Sequence, residues 1–503
     1  MSQIRRQSII SSVVVYIGFG LGFINTYLFT RQGGFTKEEY GLTGIFMAVA
    51  TLMYSFANLG MPSYVYKFYP YYNDNLDKKK SDIFSWAILL TMIGFCFVTI
   101  AGICLKDVVI RKFGQNSPDF VKYYNWVFPF GLGLTLFSII EAYAWQLKKS
   151  VFTNYLREVQ FRMFTTILIV LTFVGVLAKF DMFIKLYAFE YLAVAIILLV
   201  YLLVKGEVHF NFTVSIVTKK FFKKILVLIS FIYGGTLVYF VASIFDQVLI
   251  ASVLKDGLSQ LAVFTFALYI ASIMQAPQRS IISASIGPLS QAWKDKDLAK
   301  IEKIYRQSCI NQLIFAVGAF ALIWLNFTDA IFAFHMQSGY ADAKWIFFFI
   351  GLMRIVDMGT GVNAQVIGTS TSWRFDFFTG IILLAITIPL NYILTKYYYG
   401  VLGPAIANLF SFTVYNAIRF VFLKKKFNLQ PFSIQTLYTI LLGIACYYCC
   451  YFLFKNYHGF WILMIRSIVF IALYMAGTLS LKLSSDVLPV WWTLQKKLGI
   501  KKA

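Results

Sequence analysis

The sequence predicts an all-α polytopic membrane protein, and three observations support this prediction. Of the 503 residues, 59% are hydrophobic and 13% are charged, whereas a soluble domain carries about 25% charged residues. The apolar residues are grouped into runs of the length that a helix needs to cross a bilayer. Lysines and arginines are concentrated in every second connection between these runs, which is the pattern of the positive-inside rule.

The apolar runs predict about fourteen transmembrane helices, an estimate that assigns one helix to each run of about twenty residues. Arg5 and Arg6 before the first run imitate a signal peptide, but that run is too long and no small-residue cleavage site follows it, so we predict a retained first span. The predicted spans are 9–30, 41–61, 82–104, 122–146, 159–178, 183–204, 225–251, 260–283, 307–327, 342–363, 375–395, 401–423, 434–454 and 461–482.

The basic connections predict the orientation and the domain organisation. Because they alternate with connections that carry far fewer basic residues, both termini are expected in the cytoplasm of a bacterial cell, and the number of spans is expected to be even. The basic residues on the opposite side are mainly Arg31, Lys37, Lys106, Arg111, Lys112 and Lys255. We predict a first lobe over 1–204, a linker over 205–224, a second lobe over 225–423, and two further helices with a basic tail over 424–503. The predicted cytoplasmic positions include Lys78, Lys79, Lys80, Lys148, Lys149, Arg157, Lys219, Lys220, Lys223, Lys224, Lys424, Lys425, Lys426, Lys496, Lys497, Lys501 and Lys502.

Two local patterns bear on the helices themselves. In the stretch 36–70, Glu38 and Glu39 mark one membrane border, and Gly60 with Pro62 is expected to end or bend the helix near the other. Gly18 in the first span and Gly234 in the seventh lie at comparable depths. Such glycines either interrupt paired helices around a transport site or allow helices to pack closely.

Composition and motifs exclude several function classes. The net charge of +23 is spread between the spans and forms no patch for nucleic acid. The three histidines and six cysteines form no metal-ligand or nucleophile pattern, so we expect no enzyme, no cofactor and no metal site. Glycan polymerases and ligases also have many spans, but resemblance to them would require a large outer loop that bears arginines. This sequence has no such loop.

Ionisable residues inside the predicted spans are the candidate functional residues. Each costs about 2.5–3.5 kcal/mol at a helix centre and therefore needs a partner or a wet cavity. Glu141 and Arg162 lie in adjacent spans and are expected to pair, and Arg354 and Asp357 share one helical face. Arg419 and Arg466 are interpreted as snorkelling or lipid-binding residues. The other candidates are Glu190, Asp246 and Arg279.

Several short segments resemble the polysaccharide (Wzx-like) flippases of the MOP superfamily. They are KEEYG at 37–41, LGMPSYVYKFY at 59–69, FDQVLI at 245–250, ALYIA at 267–271, PQRSI at 277–281 and GPLS at 287–290. The resemblance implies a V-shaped pair of six-helix lobes with two additional helices and alternating access. It also implies export of a lipid-linked (polyprenyl-pyrophosphate) oligosaccharide across the plasma (inner) membrane, for surface polysaccharides such as the O-antigen of lipopolysaccharide.

This substrate class indicates which residues to expect at the site. Arginine binds pyrophosphate through forked donors, so we expect Arg279 and Arg354, followed by Arg162 and Arg31, to bind it in a cavity between the lobes. Glu141, Glu190 and Asp357 are candidates for coupling to H⁺ or Na⁺. The expected partners are the lipid-linked oligosaccharide, membrane lipids and polysaccharide assembly machinery. A MATE-type drug antiporter, a lipid scramblase and a lipid II flippase remain alternatives, although the first span lacks the acidic residue common in MATE proteins.

Overall fold

The computed structural model describes residues 3–177, 180–484 and 486, and these form helices without a β-sheet strand. The predicted basic tail, with Lys496 and Lys501, lies outside the described residues. The helices up to residue 204 are α1 Gln3–Thr30, α2 Lys37–Ala57, α3 Met61–Asn75, α4 Ile83–Cys104, α5 Lys106–Phe113, α6 Pro118–Lys122, α7 Val127–Gln146, α8 Ser150–Asn154, a π-helix Tyr155–Gln160, α9 Phe161–Phe173, α10 Phe180–Tyr187 and α11 Glu190–Val204.

The remaining helices are longer on average. They are α12 Ile216–Val253, α13 Gly257–Met274, α14 Ala276–Lys294, α15 Leu298–Ala333, α16 Ala343–Gly359, α17 Asn363–Gly368, α18 Trp373–Ile393, a π-helix Leu394–Tyr399, α19 Gly403–Phe427, α20 Ile434–Leu453 and α21 Phe460–Ser480. Short 3₁₀ turns lie at Lys78–Lys80, Tyr124–Trp126, Ser338–Asp342 and Gly400–Leu402.

The all-α membrane fold predicted from the sequence is confirmed. Each predicted span overlaps a helix, and 10 helical stretches of the described residues have the length and hydropathy to cross a membrane. One of these stretches, Arg374–Phe427, contains both α18 and α19. Others fall short because a span is divided: α9 has only 13 residues, since a π-helix precedes it. The number fourteen therefore stays a prediction.

Internal contacts divide the chain into two compact units, Met1–Ala262 and Val263–Ala503. The division lies inside α13. The helix α12 packs on α2, α3 and α5, and so it belongs with the first unit. The predicted lobe boundaries, with a linker at 205–224, differ from this division and stay a prediction.

The stretch 36–70 forms two helices instead of one span. Thr36 and Glu39 form a capping box at the start of α2, because each side chain accepts a hydrogen bond from the other's backbone N–H. The helix ends at Ala57, and Gly60, with φ of +73°, reverses the chain before Pro62 opens α3. The predicted break at Gly60 and Pro62 is confirmed. The helix α3 that follows was not predicted.

A buried acidic residue connects α3 and α4 to the start of α12. The carboxylate of Asp82, fully buried, accepts hydrogen bonds from the Ser215 N–H at 2.9 Å and the Thr218 hydroxyl at 2.7 Å. The Tyr72 hydroxyl lies 2.6 Å from that of Thr218. Burial raises the pKa of Tyr72, so its hydroxyl stays protonated at neutral pH and is able to donate. The first turn of α12 is thereby fixed to the first unit.

Close helix packing in the first unit is centred on α7, which contacts α2 and α11. A Cβ atom at Gly133 would lie 2.2 Å from the Leu192 nitrogen, so this position requires glycine. Stacked aromatic rings, such as Phe161 on Tyr191 with centroids 4.2 Å apart, fill the neighbouring space. In the second unit, α15 packs on α16, α20 and α21, and Cys446 and Cys450 are buried there.

The two glycines singled out in the sequence have different surroundings. Both α1 and α12 run unbroken through Gly18 and Gly234, so of the two interpretations of these glycines the interruption of paired helices is wrong. At Gly18 a Cβ atom would lie 2.7 Å from Glu158, which identifies a close approach of α1 to the first π-helix. At Gly234 a Cβ atom would meet nothing within 4 Å. Gly18 therefore serves packing.

Candidate functional site

The first unit holds a buried ion pair between α7 and the first π-helix. The Arg157 guanidinium lies 2.5 Å from the Glu141 carboxylate, and the Glu141 side chain is only 4% exposed. Arg157 also lies over the Phe137 ring, 5.5 Å from its centroid. The sequence predicted Arg162 as the partner of Glu141, which is wrong. Arg157, which the sequence placed in a cytoplasmic connection, is a functional candidate that sequence reasoning missed.

Arg162 forms a separate pair one turn further along. Its guanidinium donates to the side chain and the backbone carbonyl of Glu158. The Arg162 carbonyl accepts a hydrogen bond from the Asn25 amide of α1 at 2.8 Å, and the Thr166 hydroxyl donates to Asn25 Oδ1 at 2.6 Å. The backbone of Arg162 is therefore held against α1. The Arg162 side chain is partly exposed.

Arg31 lies beyond the end of α1, with its guanidinium over the Phe173 ring, 4.1 Å from the centroid. Arg31 follows Asn25 by six residues, which is about 9 Å along a helix axis. Since Asn25 contacts Arg162, the two predicted first-unit arginines lie at different depths. The structure therefore does not place them as one cluster.

Glu190, at the start of α11, is a deeply buried carboxyl among the coupling candidates. It is 4% exposed, and its Oε2 accepts a hydrogen bond from the Thr165 hydroxyl at 2.7 Å. Its other oxygen is buried and accepts no hydrogen bond from any residue in the described part of the chain. A carboxyl group in this environment is stabilised by a proton or a bound cation.

The second unit contains a polar cluster around Asp357 of α16. Asp357 Oδ2 accepts a hydrogen bond from Gln278 of α14 at 2.9 Å, and Oδ1 accepts one from Asn416 of α19 at 3.4 Å. Arg279 follows Gln278 in the chain, and Arg354 precedes Asp357 by one helical turn. Arg279 is exposed and Arg354 is half-buried. The Gln278–Asp357 bond therefore joins the segments of α14 and α16 that carry these two arginines.

The cluster extends from Asn416 towards α18. The Asn416 side-chain oxygen accepts from Thr360 at 2.9 Å and from Asn363 at 2.8 Å. Arg419, one turn along α19, is buried and pairs with Asp376. It also donates to Thr379 at 3.3 Å and lies over the Tyr415 ring.

The interpretation of Arg419 and Arg466 as snorkelling residues is wrong, because both are about 5% exposed. Arg466 lies 2.5 Å from Asp329 and donates to Asn326 at 2.8 Å, which attaches α21 to α15. Asp246 is also buried. Arg419 and Arg466 are structural partners of carboxylates on neighbouring helices.

Two helices are interrupted beside the Asp357 cluster. The helix α13 ends at Met274, and α14 begins after Gln275 with Pro277 in its first turn. The helix α16 ends at Gly359, and Gly361, with φ of +64°, lies against Cys309 and Ser308 before α17. Discontinuous membrane helices are typical of transporter binding sites. Pro277 in the first break, and Gly359 with Gly361 in the second, are helix-breaking residues that could have indicated these breaks from the sequence.

No protein-family model and no curated protein matches the chain. Among the described residues, no group of His, Cys, Asp or Glu is arranged to hold a metal ion.

Solved structures with a similar fold are membrane transporters and flippases. The lipid II flippase MurJ, in an inward closed conformation, matches with a TM-score of 0.73 and 16% identity over 93% of this chain and 98% of that chain. An inward-facing multidrug resistance MATE transporter of the MOP superfamily matches with a TM-score of 0.59 and 15% identity, over 83% of this chain and 94% of that chain. A variant of the Vibrio cholerae MATE transporter VcmN matches with a TM-score of 0.53 and 12% identity, over 85% of this chain and 97% of that chain. The chain therefore has the fold shared by MurJ and MATE transporters, both members of the MOP superfamily.

Proposed function

We propose that the protein moves a polyprenyl-pyrophosphate-linked oligosaccharide across the bacterial plasma membrane by alternating access, in the assembly of a cell-surface polysaccharide. The observation that carries this proposal is the Gln278–Asp357 hydrogen bond, because Arg279 follows Gln278 in the chain and Arg354 lies one helical turn before Asp357. Guanidinium groups suit a dianionic pyrophosphate, and they act most strongly where water is scarce. Arg31 and Arg162 of the first unit are proposed as secondary ligands.

The fold shared with the lipid II flippase MurJ, over 93% of this chain, supports a lipid-linked substrate, and the fold shared with MATE structures supports an antiporter equally. A MATE-type antiporter is the second candidate, because the buried Glu190 carboxyl could serve cation exchange and MATE structures share the fold. A lipid II flippase is a further alternative within the lipid-linked class. Membrane lipids, H⁺ or Na⁺, and polysaccharide assembly machinery are the proposed partners.

The two leading candidates are separated by their substrates. Proteoliposomes containing the purified protein would be given either a labelled polyprenyl-pyrophosphate disaccharide or a cationic dye, each under imposed proton and sodium gradients. The proposal expects movement of the saccharide lipid and none of the dye. Dye exchange driven by a gradient, without movement of the saccharide lipid, would favour the antiporter.

Replacing Glu190 by glutamine is expected to remove the dependence of transport on an ion gradient. Glutamine keeps an oxygen for the Thr165 hydroxyl but takes up neither a proton nor a cation, so transport should proceed at the rate seen without a gradient. The rate is measured in proteoliposomes with and without a gradient. If the Glu141→Gln/Glu190→Gln/Asp357→Asn variant keeps its full gradient response, the three carboxyl groups have no coupling role.

Labelling of single cysteines is expected to place both termini in the cytoplasm. After replacement of the six native cysteines, Lys220→Cys and Lys425→Cys should react with an impermeant maleimide only in permeabilised cells. Lys255→Cys, which is also exposed, should react in intact cells. Reaction of Lys220→Cys in intact cells would contradict the proposed orientation.

A further inference from the structure

Two antiparallel helical segments of the first unit are joined by matched contacts near the predicted cytoplasmic end of α7. Trp145 Nε1 donates to Thr153 Oγ1 at 2.9 Å, and the Arg157 guanidinium lies 2.5 Å from Glu141. Glu141 and Trp145 are four residues apart, as are Thr153 and Arg157, so each pair lies on one helical face. The two contacts are therefore about 6 Å apart along the helix axes. Trp145 and Arg157 are thus neighbours on one surface.

A third helix adds a second aromatic ring to this surface. Tyr66 of α3 stacks on Trp145, with centroids 5.9 Å apart and ring planes inclined by 15°. Both aromatic side chains are 40% exposed. Since Arg157 is 35% exposed while Glu141 is 4% exposed, the cation is accessible and its counter-ion is not.

This combination has the chemistry of a carbohydrate site. The C–H face of a pyranose ring packs on an aromatic surface, because it removes apolar area from water without burying the hydroxyl groups. An arginine fork beside that surface binds a phosphate or carboxylate through paired N–H donors. Glu141 and Phe137 hold Arg157 in place, which lowers the entropy lost when an anion binds.

We infer that Tyr66, Trp145 and Arg157 form a binding site on the first unit for a saccharide ring that carries an adjacent anionic group. The inference rests on the proposed function, and it adds recognition of the glycan to that of the pyrophosphate at Arg279 and Arg354. The anionic group is either the phosphate attached to the sugar or a sugar carboxylate, since arginine binds both in the same way.

Binding to purified protein in lipid nanodiscs tests the site. The probes are radiolabelled short-chain prenyl pyrophosphates carrying no sugar, a neutral disaccharide, or a disaccharide that contains a uronic acid. We expect Trp145→Ala and Tyr66→Ala each to weaken binding of both saccharide probes by about tenfold, the usual size of a lost stacking contact. Binding of the sugar-free probe should be unchanged. Tyr66→Phe keeps the ring and should bind as wild type does.

Arg157→Lys keeps a positive charge beside Glu141 but loses the fork, so it tests the anion contact without leaving a buried carboxylate alone. The Glu141→Gln/Arg157→Gln double variant removes both charges and serves as a second test. Weaker binding of both saccharide probes by these variants assigns the anion to the phosphate. Weaker binding of the uronic acid probe alone assigns it to the sugar carboxylate. Either result supports the site, and unchanged binding of every probe overturns it.

Trp461→Ala is the matched control, because Trp461 is a 76% exposed tryptophan near the start of α21. If Trp145→Ala and Trp461→Ala have the same effect, or if Trp145→Ala weakens the sugar-free probe equally, Trp145 is a membrane-interface anchor and the inference is wrong. If wild-type protein binds no saccharide probe, the proposed function fails as well. If wild type binds and transports the probes while the Tyr66 and Trp145 variants bind equally well, only the inference fails.

Discussion

The Arg279→Ala/Arg354→Ala double variant is expected to insert into the membrane normally and to lose nearly all transport of the saccharide lipid. Each arginine is proposed to make charge-assisted hydrogen bonds to the pyrophosphate, and one such bond contributes about 1.5–3 kcal/mol. The single variants should therefore lose about tenfold to a hundredfold in transport rate. Initial rates in proteoliposomes at matched protein density give the measurement.

A charge exchange separates ligand binding from a structural role. If Arg354 only neutralises Asp357 on its own helix, the Arg354→Asp/Asp357→Arg variant should regain transport. If Arg354 binds substrate from its own position, transport should stay impaired although expression and thermal stability recover. Wild-type transport by both Arg279→Ala and Arg354→Ala would show that these arginines are not the pyrophosphate ligands.

Replacing Arg419 by alanine is expected to produce the largest loss of stability among the substitutions considered. Arg419 is 5% exposed and serves Asp376, Thr379 and Asn363 on neighbouring segments of the second unit. Removing one member of a fully buried ion pair costs about 3–5 kcal/mol. The loss here should be smaller, because Asp376 is 37% exposed and water solvates the remaining carboxylate. The midpoint of thermal unfolding in detergent should fall, with α18 separating from α19.

Arg306→Ala is the control for Arg419→Ala. Arg306 pairs with Glu302 at 3.0 Å, but both side chains are exposed and lie four residues apart on one helix. Such a pair contributes about 0–1 kcal/mol, so the midpoint should hardly change. Equal midpoints for the two variants would contradict a structural role for Arg419. A loss of transport by Arg419→Ala at unchanged stability would instead place Arg419 in the substrate site.

The sequence predicted the class of fold well, because membrane helices are determined by length and hydropathy within single segments. It predicted the break at Gly60 and Pro62 for the same reason, since positive φ and a missing N–H act locally. At Gly18 it left two interpretations open, because glycine is a signal both of helix breaks and of close packing. The deciding contact with Glu158 comes from a helix far along the chain.

Partners of the ionisable residues were harder to predict, because pairing depends on how helices rotate about their axes. Arg419 finds Asp376 on α18, 43 residues away, which hydropathy does not specify. Arg157 was assigned to a connection because it follows Lys148 and Lys149 closely. The short turn after Gln146 makes α7 and the next segment antiparallel neighbours. Glu141 and Arg157 lie at similar distances from this turn along the two segments, so their pairing was predictable from the sequence.

The most direct test of the proposed function is a leaflet-resolved assay with the purified protein. A fluorescent polyprenyl-pyrophosphate disaccharide is placed in both leaflets of proteoliposomes, and a membrane-impermeant glycosidase then cleaves the molecules that are reachable from outside. We expect cleavage to stop near half in protein-free vesicles and with Arg279→Ala/Arg354→Ala, and to proceed towards completion with wild-type protein. Cleavage that stops near half with correctly folded wild-type protein, under every imposed proton and sodium gradient, would contradict the proposed function.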